Sequence, residues 1–393
     1  MSQFASALVA TLVGFGSTLA IIAAAAQNVG ATAVNTTSWI VALCLGIGLF
    51  SIVLSLRHRM PIVGAWSLAG AVLLAGLPPG TTLGAATGAF LVVALLTLLA
   101  GSVPVLGRLV AALPASIGAG MLAGLVLRFV LNLFTAAQAE PALVLPLLAV
   151  FVAARLLHAA SAPIAVLLVG LPLAWAQGHT LPPVTLALPG LHWTTPTLGP
   201  ELLGLGLPLF LVTMATQQVS GAAVLRASGY DPPVRSLWLA SGALTLALAP
   251  FGGYSINVAS VTAAICTGPD THPDPARRYH AGWIYGLLYL FLALAGAGLA
   301  ALFAGLPPAL IATVAGTALL APLTNALASA TRPDTERFAA ILAFAVTASG
   351  YTALGLGGAF WGLVAGVGLL TLEQVPARLR RPRKQPPHFR PSK

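Results

Sequence analysis

The stretch Phe251-Gly-Gly-Tyr-Ser-Ile-Asn257 has a counterpart in the first half of the chain, Pro61-Ile-Val-Gly-Ala-Trp-Ser67. Each contains Gly or Pro and belongs to a short apolar run, over residues 254–267 and 62–77 respectively. A bilayer crossing needs about 20 apolar residues in a helix. The sequence therefore predicts two interrupted membrane segments at matching places in two halves of the chain.

The composition places the whole chain in a membrane. Of its 393 residues, 58% are apolar and only 7% are charged, and the mean hydropathy is +0.95. Soluble domains carry roughly 25% charged residues, with which they cover their surface. A soluble enzyme, a disordered protein and a nucleic-acid-binding domain are therefore excluded. The net charge of +10 does not change this, because the 18 Lys and Arg residues form short groups between long apolar runs. We expect an all-α polytopic membrane protein.

The two cysteines, Cys44 and Cys266, both lie inside apolar runs. No His or carboxylate accompanies them at metal-ligand spacing, so we expect neither a metal site nor a disulfide framework. No cofactor is expected.

Turn-forming residues divide the apolar runs into fourteen predicted segments. These lie at 6–27, 37–56, 62–77, 85–101, 113–134, 141–157, 162–177, 201–224, 236–250, 254–267, 281–304, 307–328, 338–352 and 355–373. With fourteen crossings both termini lie on one side, and the basic residues of the loops fall there too. The excess of Lys and Arg identifies that side as the cytoplasm. Arg128, inside the fifth segment, is the exception.

The matching stretches indicate an internal repeat. Gln27 and Gln217 are separated by the same number of positions as Pro61 and Phe251, where the two stretches begin. Seven segments per half is an odd number, so the second half enters the membrane in the opposite sense, as in many transporters. The predicted divisions are a first inverted repeat at 1–177, a linker at 178–200, a second inverted repeat at 201–373 and a basic cytoplasmic tail at 374–393. The tail is expected to touch anionic membrane lipid.

The interrupted segments supply the chemistry of a binding site. A helix start offers free N–H groups and the positive end of the helix dipole, which together attract anions. Two such starts meeting from opposite sides would hold one carboxylate deep in the membrane. The predicted substrate-binding residues are Phe15, Trp66, Ser67, Gln217, Gln218, Tyr254, Ser255 and Asn257. Ordinary packing, an interfacial aromatic belt and helix–helix hydrogen bonds are the open alternatives for these side chains.

Titratable groups are scarce in the predicted segments. No Asp or Glu lies in the middle of any of them, although a proton relay normally uses a buried carboxylate or His. His58 and Asp270 are the nearest candidates for proton coupling. The alternative for both is a solvated loop.

Four stretches carry a family resemblance. The run from Ala249 to Tyr279 closely resembles the benzoate:proton symporter family of bacteria, as do 207–218, 55–67 and 359–366. The likeness covers nearly the whole chain up to the basic tail, and the family is distantly similar to uracil and nucleobase permeases. The resemblance implies fourteen segments in two inverted sevens, divided into a core domain and a gate domain. It also implies a site between the third and tenth segments, a bacterial inner-membrane location and homodimers formed through the gate domain.

The sequence departs from the nucleobase permeases at the tenth segment. Ile256 stands where those proteins carry a carboxylate that would hydrogen-bond a nucleobase. This favours an apolar ring with one anionic group. Leu68-Ala69-Gly70 replaces a Thr-Pro-Gly pattern, and Ala24 replaces a frequent Gln, so the identity of the aromatic acid stays open.

The leading expectation is a secondary active transporter that imports benzoate or a related aromatic carboxylate with protons, by alternating access. An anion channel of the same fold is the main alternative. The third alternative, an integral-membrane enzyme, would have to use the cluster of Asp270, His272 and Asp274. Membrane transferases usually present denser acidic motifs than this one.

Overall fold

The computed structural model describes residues 2–16, 18–77, 80–105, 107, 114–157, 162–179, 190–199, 201–296, 298, 305–353 and 358–379. The helices of the first half are α1 (Gln3–Gly16), α2 (Leu19–Asn28), α3 (Ala33–His58), α4 (Leu68–Ala75), α5 (Leu83–Ser102), α6 (Ala115–Ala139), α7 (Pro141–Leu157) and α8 (Ala162–Ala176). Those of the second half are α9 (Glu201–Thr213), α10 (Ser220–Ala227), α11 (Val234–Leu248), α12 (Val261–Thr267), α13 (Tyr279–Leu294), α14 (Pro308–Thr331), α15 (Arg337–Ser349) and α16 (Gly358–Leu379).

The described helices follow the predicted segments in chain order. Among the described residues, seven helical stretches are long and apolar enough to cross a bilayer. The first predicted segment, 6–27, is built from two helices, since α1 ends at Gly16 and α2 begins at Leu19. Two glycines flank Phe15 just before this break, and Gly is a poor helix former. The chain is therefore a polytopic helical membrane protein, while the count of fourteen crossings stays a prediction.

The two segments predicted to be interrupted each contain a short strand followed by a short helix. Strand β1 (Gly64–Trp66) precedes α4, and strand β2 (Ile256–Val258) precedes α12. The strands pair antiparallel, with Gly64 opposite Val258, Ala65 opposite Asn257 and Trp66 opposite Ile256. The predicted interruptions are confirmed, and the two interrupted segments meet.

The place where β1 and β2 pair is called the strand crossing, or simply the crossing, below. Hydrogen bonds from surrounding side chains satisfy the polar backbone groups there. The N–H of Gly64 donates to the Ser51 hydroxyl at 2.8 Å, and its carbonyl accepts from the Tyr285 hydroxyl at 3.0 Å. The N–H of Ile256 donates to the hydroxyl of Thr245 at 3.0 Å. Non-helical backbone is tolerated at membrane depth only where protein or a water-filled cavity satisfies it. Side chains of the surrounding helices do so here.

The predicted linker and tail fall partly within the described residues. Residues 190–199 are non-helical and bond to the helical body, through Thr194 N–H to Pro250 O at 2.7 Å and Thr197 N–H to Gly84 O at 3.0 Å. Residues 180–189 and 200 lie outside the described part. Helix α16 continues to Leu379, and residues 380–393 of the predicted tail also lie outside it.

Gly252, in the turn before β2, provides a test of this packing. Its φ is +95°, and an added Cβ would collide with the indole ring of Trp39, which is 1% exposed. We expect Gly252→Ala to lower the free energy of unfolding by about 3 kcal/mol, because a left-handed alanine and an overpacked core both cost stability. Thermal unfolding of the purified protein in detergent measures this loss.

Gly30→Ala is the matched control. Gly30 is also left-handed, with φ +79°, but an added Cβ would meet no atom within 4 Å. This variant should lose only the conformational part, about 1–2 kcal/mol. Equal losses in the two variants would contradict the packing of Trp39 against Gly252.

Candidate functional site

A buried polar cluster lies beside β2. Gln218 donates from Nε2 to the Ser241 hydroxyl, in a short hydrogen bond, and to Asn257 Oδ1 at 3.1 Å. Asn257 donates from Nδ2 to the Ser255 hydroxyl at 2.6 Å, and Ser241 in turn donates to the carbonyl of Ile256. All four polar side chains are at most 2% exposed. The structure thus brings together three predicted residues, Gln218, Ser255 and Asn257, and adds Ser241.

Gln217 and Gln218 lie on a widened helical turn, a π-helix over Met214–Val219 between α9 and α10. The Ser220 hydroxyl donates to the carbonyl of Ala215, five residues earlier, at 2.9 Å. Such turns are frequent at functional sites. The Oε1 atoms of both glutamines are buried and have no hydrogen-bond partner among the described residues. An unsatisfied buried polar atom costs about 1–3 kcal/mol, which a ligand's donor would relieve.

Phe15 and Trp66 belong to one aromatic group, whose third member is Tyr289 on α13. The ring centroids are 5.8 Å apart for Phe15 and Trp66, 6.3 Å for Phe15 and Tyr289, and 5.9 Å for Trp66 and Tyr289. The indole N–H of Trp66 donates to the Thr18 hydroxyl at 2.9 Å, in the break between α1 and α2. Tyr285 extends the group, with its ring 4.7 Å from that of Tyr289. This group lines the β1 side of the crossing.

Tyr254 belongs to a second aromatic group. Its ring lies 6.1 Å from that of Trp39 and 6.0 Å from that of Phe90, and the residue is fully buried. Its hydroxyl donates to the carbonyl of Ser67 at 3.0 Å. Among the described rings, Trp66 and Tyr254 therefore have no neighbour in common. A role for Tyr254 against a substrate ring stays a prediction, and the bond to Ser67 ties the two interrupted segments together.

The two helix starts differ in their local structure. The Ser67 hydroxyl caps α4 by accepting from the N–H of Gly70 at 2.9 Å. Helix α12 begins at Val261, whose side chain is 68% exposed three residues after β2. The start of α12 is thus exposed, whereas the start of α4 is buried.

The titratable candidates lie away from the polar cluster. His58 ends α3, and its Nε2 is 3.0 Å from the Ser236 hydroxyl near the start of α11. Asp270 lies in the exposed turn after α12. The structure does not bring either residue to the strands, so a part in proton coupling stays a prediction.

The polar residues of the loop after α12 form hydrogen bonds within the loop and to the end of α12. The N–H of Asp274 donates to His272 Nδ1 at 3.0 Å, and its carboxylate accepts from Ala276 N–H at 2.9 Å. Arg278, 8% exposed, donates to the carbonyls of Thr267, at 2.8 Å, and His272, at 2.7 Å. Among the described residues, no three His, Cys, Asp or Glu side chains group as metal ligands.

Sequence reasoning missed Ser241, Tyr285 and Tyr289. The two tyrosines stand four residues apart, which places them on one helix face and is a signal that the sequence does contain. Ser241 carries no comparable signal, because a single hydroxyl in an apolar helix commonly bonds to its own backbone. Its partner Gln218 lies 23 residues away in the chain.

Two comparisons of sequence bear on the family. A family model described as BenE, benzoate membrane transport protein, matches residues 1–372. The inner membrane protein YdcO of Escherichia coli (strain K12) is 40% identical over 359 residues, which cover 91% of this chain and 92% of that protein. The benzoate membrane transport protein of Acinetobacter baylyi (strain ATCC 33305 / BD413 / ADP1) is 32% identical over 369 residues, covering 93% and 94%.

Two solved structures share the fold. The transmembrane domain of a cyanobacterial bicarbonate transporter, BicA, matches with a TM-score of 0.62 at 14% identity, over 93% of this chain and 98% of that one. SLC26A9 matches with a TM-score of 0.63 at 16% identity, over 95% of this chain and 65% of that one. At such identities the likeness shows the fold alone. The distant likeness to uracil permeases stays a prediction.

The bond between Tyr254 and Ser67 yields a test of the crossing. We expect Tyr254→Phe to keep the ring packing and to lower the free energy of unfolding by about 1 kcal/mol, since the Ser67 carbonyl also accepts from Ala71 N–H. Thermal unfolding in detergent measures the loss. Tyr230→Phe is the control: the Tyr230 hydroxyl donates to Pro275 O at 3.0 Å in an exposed loop, where water can replace it. A larger loss in the control would contradict a stabilising bond at the crossing.

Proposed function

The chain belongs to the benzoate membrane transport protein family, and from this premise we propose that it imports benzoate or a related aromatic carboxylate together with protons. The family consists of membrane transporters, so an enzymatic role for the cluster of Asp270, His272 and Asp274 is set aside. The proposed location is the bacterial inner membrane, which the name of the Escherichia coli relative supports.

The pairing of β1 with β2 carries the proposal. It brings two helix starts, an aromatic group and a polar cluster to one place. In the proposed site the substrate ring lies against Phe15 and Trp66, and its carboxyl group faces Ser67, Asn257 and the two glutamines. An apolar wall with a few convergent polar groups is the usual composition of a small-molecule site.

The polar cluster favours a substrate that carries its own proton through the site. A carboxylate has only acceptor atoms, whereas a carboxylic acid has one O–H donor. The free atoms of Gln217 and Gln218 are carbonyl oxygens, which accept hydrogen bonds. The partners of the cluster, Ser241, Ser255, Asn257 and a backbone carbonyl, are all neutral, and a buried carboxylate without a counter-charge is costly. We therefore propose that the substrate crosses as the neutral acid.

The architecture that we propose has fourteen crossings in two inverted repeats, over residues 1–177 and 201–373, with both termini in the cytoplasm. The antiparallel register of β1 and β2 supports inversion, because strands from halves in the same orientation would pair in parallel. The proposed cycle is alternating access, in which the core domain carries the site past the gate domain, and the gate domain forms the homodimer.

Reconstituted protein tests the transport proposal. Liposomes that contain it should accumulate labelled benzoate when the outside is more acidic than the inside, and unlabelled benzoate inside should accelerate entry of the label. Protein-free liposomes set the background, because benzoic acid crosses lipid unaided. A channel would give a benzoate current and no acceleration by internal benzoate, which would overturn the carrier proposal.

The same assay separates the two routes for the proton. With the proton on the substrate, uptake at low benzoate should fall as the external pH rises above the pKa of a carboxyl group, about 4, because a smaller fraction of the entering benzoate is protonated. Asp270→Asn and His58→Gln should both keep this dependence. Loss of gradient-driven accumulation, with exchange retained, in either variant would place the proton on that residue.

Gln218→Ala tests the site assignment. Removing the amide leaves Asn257 and Ser241 without a shared partner, so we expect benzoate exchange to fall to the background of protein-free liposomes. Gln27→Ala is the control, because Gln27 is exposed at the end of α2. Expression and monodispersity in detergent should match in both variants. Normal exchange by a folded Gln218→Ala protein would remove Gln218 from the site.

A further inference from the structure

Arg128 is a cation in the interior of a membrane-length helix. It lies near the middle of α6, about three helical turns from either end. No ion pair or hydrogen bond between described residues involves it. An unpaired charge at such depth is costly in lipid and normally faces a water-filled path.

A cavity of about 220 Å³ accounts for this position. Arg128 lines it together with the C-terminal end of α4, the N-terminal half of α9, the C-terminal end of α15 and the start of α16. The apolar wall includes Leu73, Leu77, Pro208 and Phe360, and Thr352 adds an exposed hydroxyl. The cavity therefore combines one cation with an apolar wall.

Gly350 makes room for the guanidinium. It ends α15 with φ +67°, and an added Cβ would lie 2.8 Å from Nη2 of Arg128 and 3.2 Å from its Cζ. The negative end of the α15 dipole lies here and stabilises a cation, which is a structural use for Arg128. The N–H donors of Arg128 still have no acceptor among the described residues. A carboxylate has two acceptor oxygens, in a planar geometry that matches the guanidinium.

The cavity lies beside the C-terminal ends of α4 and α15. Helices α6 and α15 run in parallel, because the Ser116 hydroxyl donates to Glu336 at 2.6 Å near their starts and Arg128 meets Gly350 farther along. Arg337 lies at the starting end, opposite to the cavity. By the excess of basic residues on the cytoplasmic side, the cavity faces the external side.

We propose that this cavity is an outer vestibule in which Arg128 captures the carboxylate group of an incoming aromatic monocarboxylate before it reaches the strand crossing. The vestibule is distinct from the crossing, because it contacts the C-terminal end of α4 whereas Ser67 caps the other end. The inference rests on the proposed function. The vestibule binds the anionic form of the substrate, which predominates in water at neutral pH. The strand crossing, whose polar groups are uncharged, then binds the neutral acid.

A cysteine reporter in the full-length protein tests the vestibule. Thr352→Cys places a thiol on the cavity wall, while the natural Cys44 and Cys266 are both 0% exposed. Benzoate should slow the labelling of this thiol by a membrane-impermeant maleimide, and benzamide, which lacks the charge, should not. Adding Arg128→Gln should raise the half-protecting benzoate concentration about tenfold or more, and Arg128→Lys should raise it less, because lysine keeps the charge and loses the planar fork.

The controls separate the two proposals. In a Thr352→Cys, Gln218→Ala protein, benzoate should still slow labelling although exchange is lost. If benzoate protects the thiol from the maleimide equally well with and without Arg128→Gln, that result would overturn the vestibule. Benzoate transport by the reporter protein, without any protection of its thiol, would overturn it too. Protection without transport in the reporter protein would overturn the transport proposal and leave the vestibule standing. If the thiol introduced by Thr352→Cys is not labelled, Leu77→Cys, on another wall of the same cavity, is interpreted by the same criteria.

Discussion

The pairing of two three-residue strands in the interior is the interaction on which the rest of this structure depends. A non-helical backbone inside a membrane must have each of its polar groups satisfied. The strands satisfy part of this need through each other, and Ser51, Tyr285 and Thr245 supply further partners. The helices that carry these side chains must therefore surround the crossing.

The same hydrogen bonds that hold the crossing also prepare a site. Ser241 bonds both to the Ile256 carbonyl and to Gln218, so one hydroxyl links the strand to the widened turn. That turn bears two glutamines whose carbonyl oxygens have no partner among the described residues, and such turns are frequent at functional sites. The hydrogen bonds that stabilise the paired strands therefore also hold Gln218 beside them.

The sequence was sufficient for the membrane class, the interruptions and the family. Apolar runs are longer than one bilayer crossing, the Gly and Pro residues around Pro61 and Phe251 mark the breaks, and the family resemblance is confirmed by a match over residues 1–372. It was not sufficient for the grouping of side chains. Tyr254 and Trp66 look equivalent in the sequence, yet they lie in different aromatic groups. Which ring meets which depends on helix packing, and a local pattern does not encode that.

Charge changes along the path that these features define. The proposed vestibule contains the cation Arg128, whereas the hydrogen-bonding groups beside the paired strands are neutral. On the proposed path, the two places would therefore favour different protonation states of one carboxylic acid. An anion that moves from Arg128 to the crossing leaves its counter-charge behind. It can enter either as an unpaired anion or, after protonation, as the neutral acid. The neutral acid has the lower free energy in a medium of low dielectric constant. In the proposed mechanism, electrostatics alone couples proton uptake to substrate entry. Such coupling would need no Asp or Glu in the middle of the predicted segments.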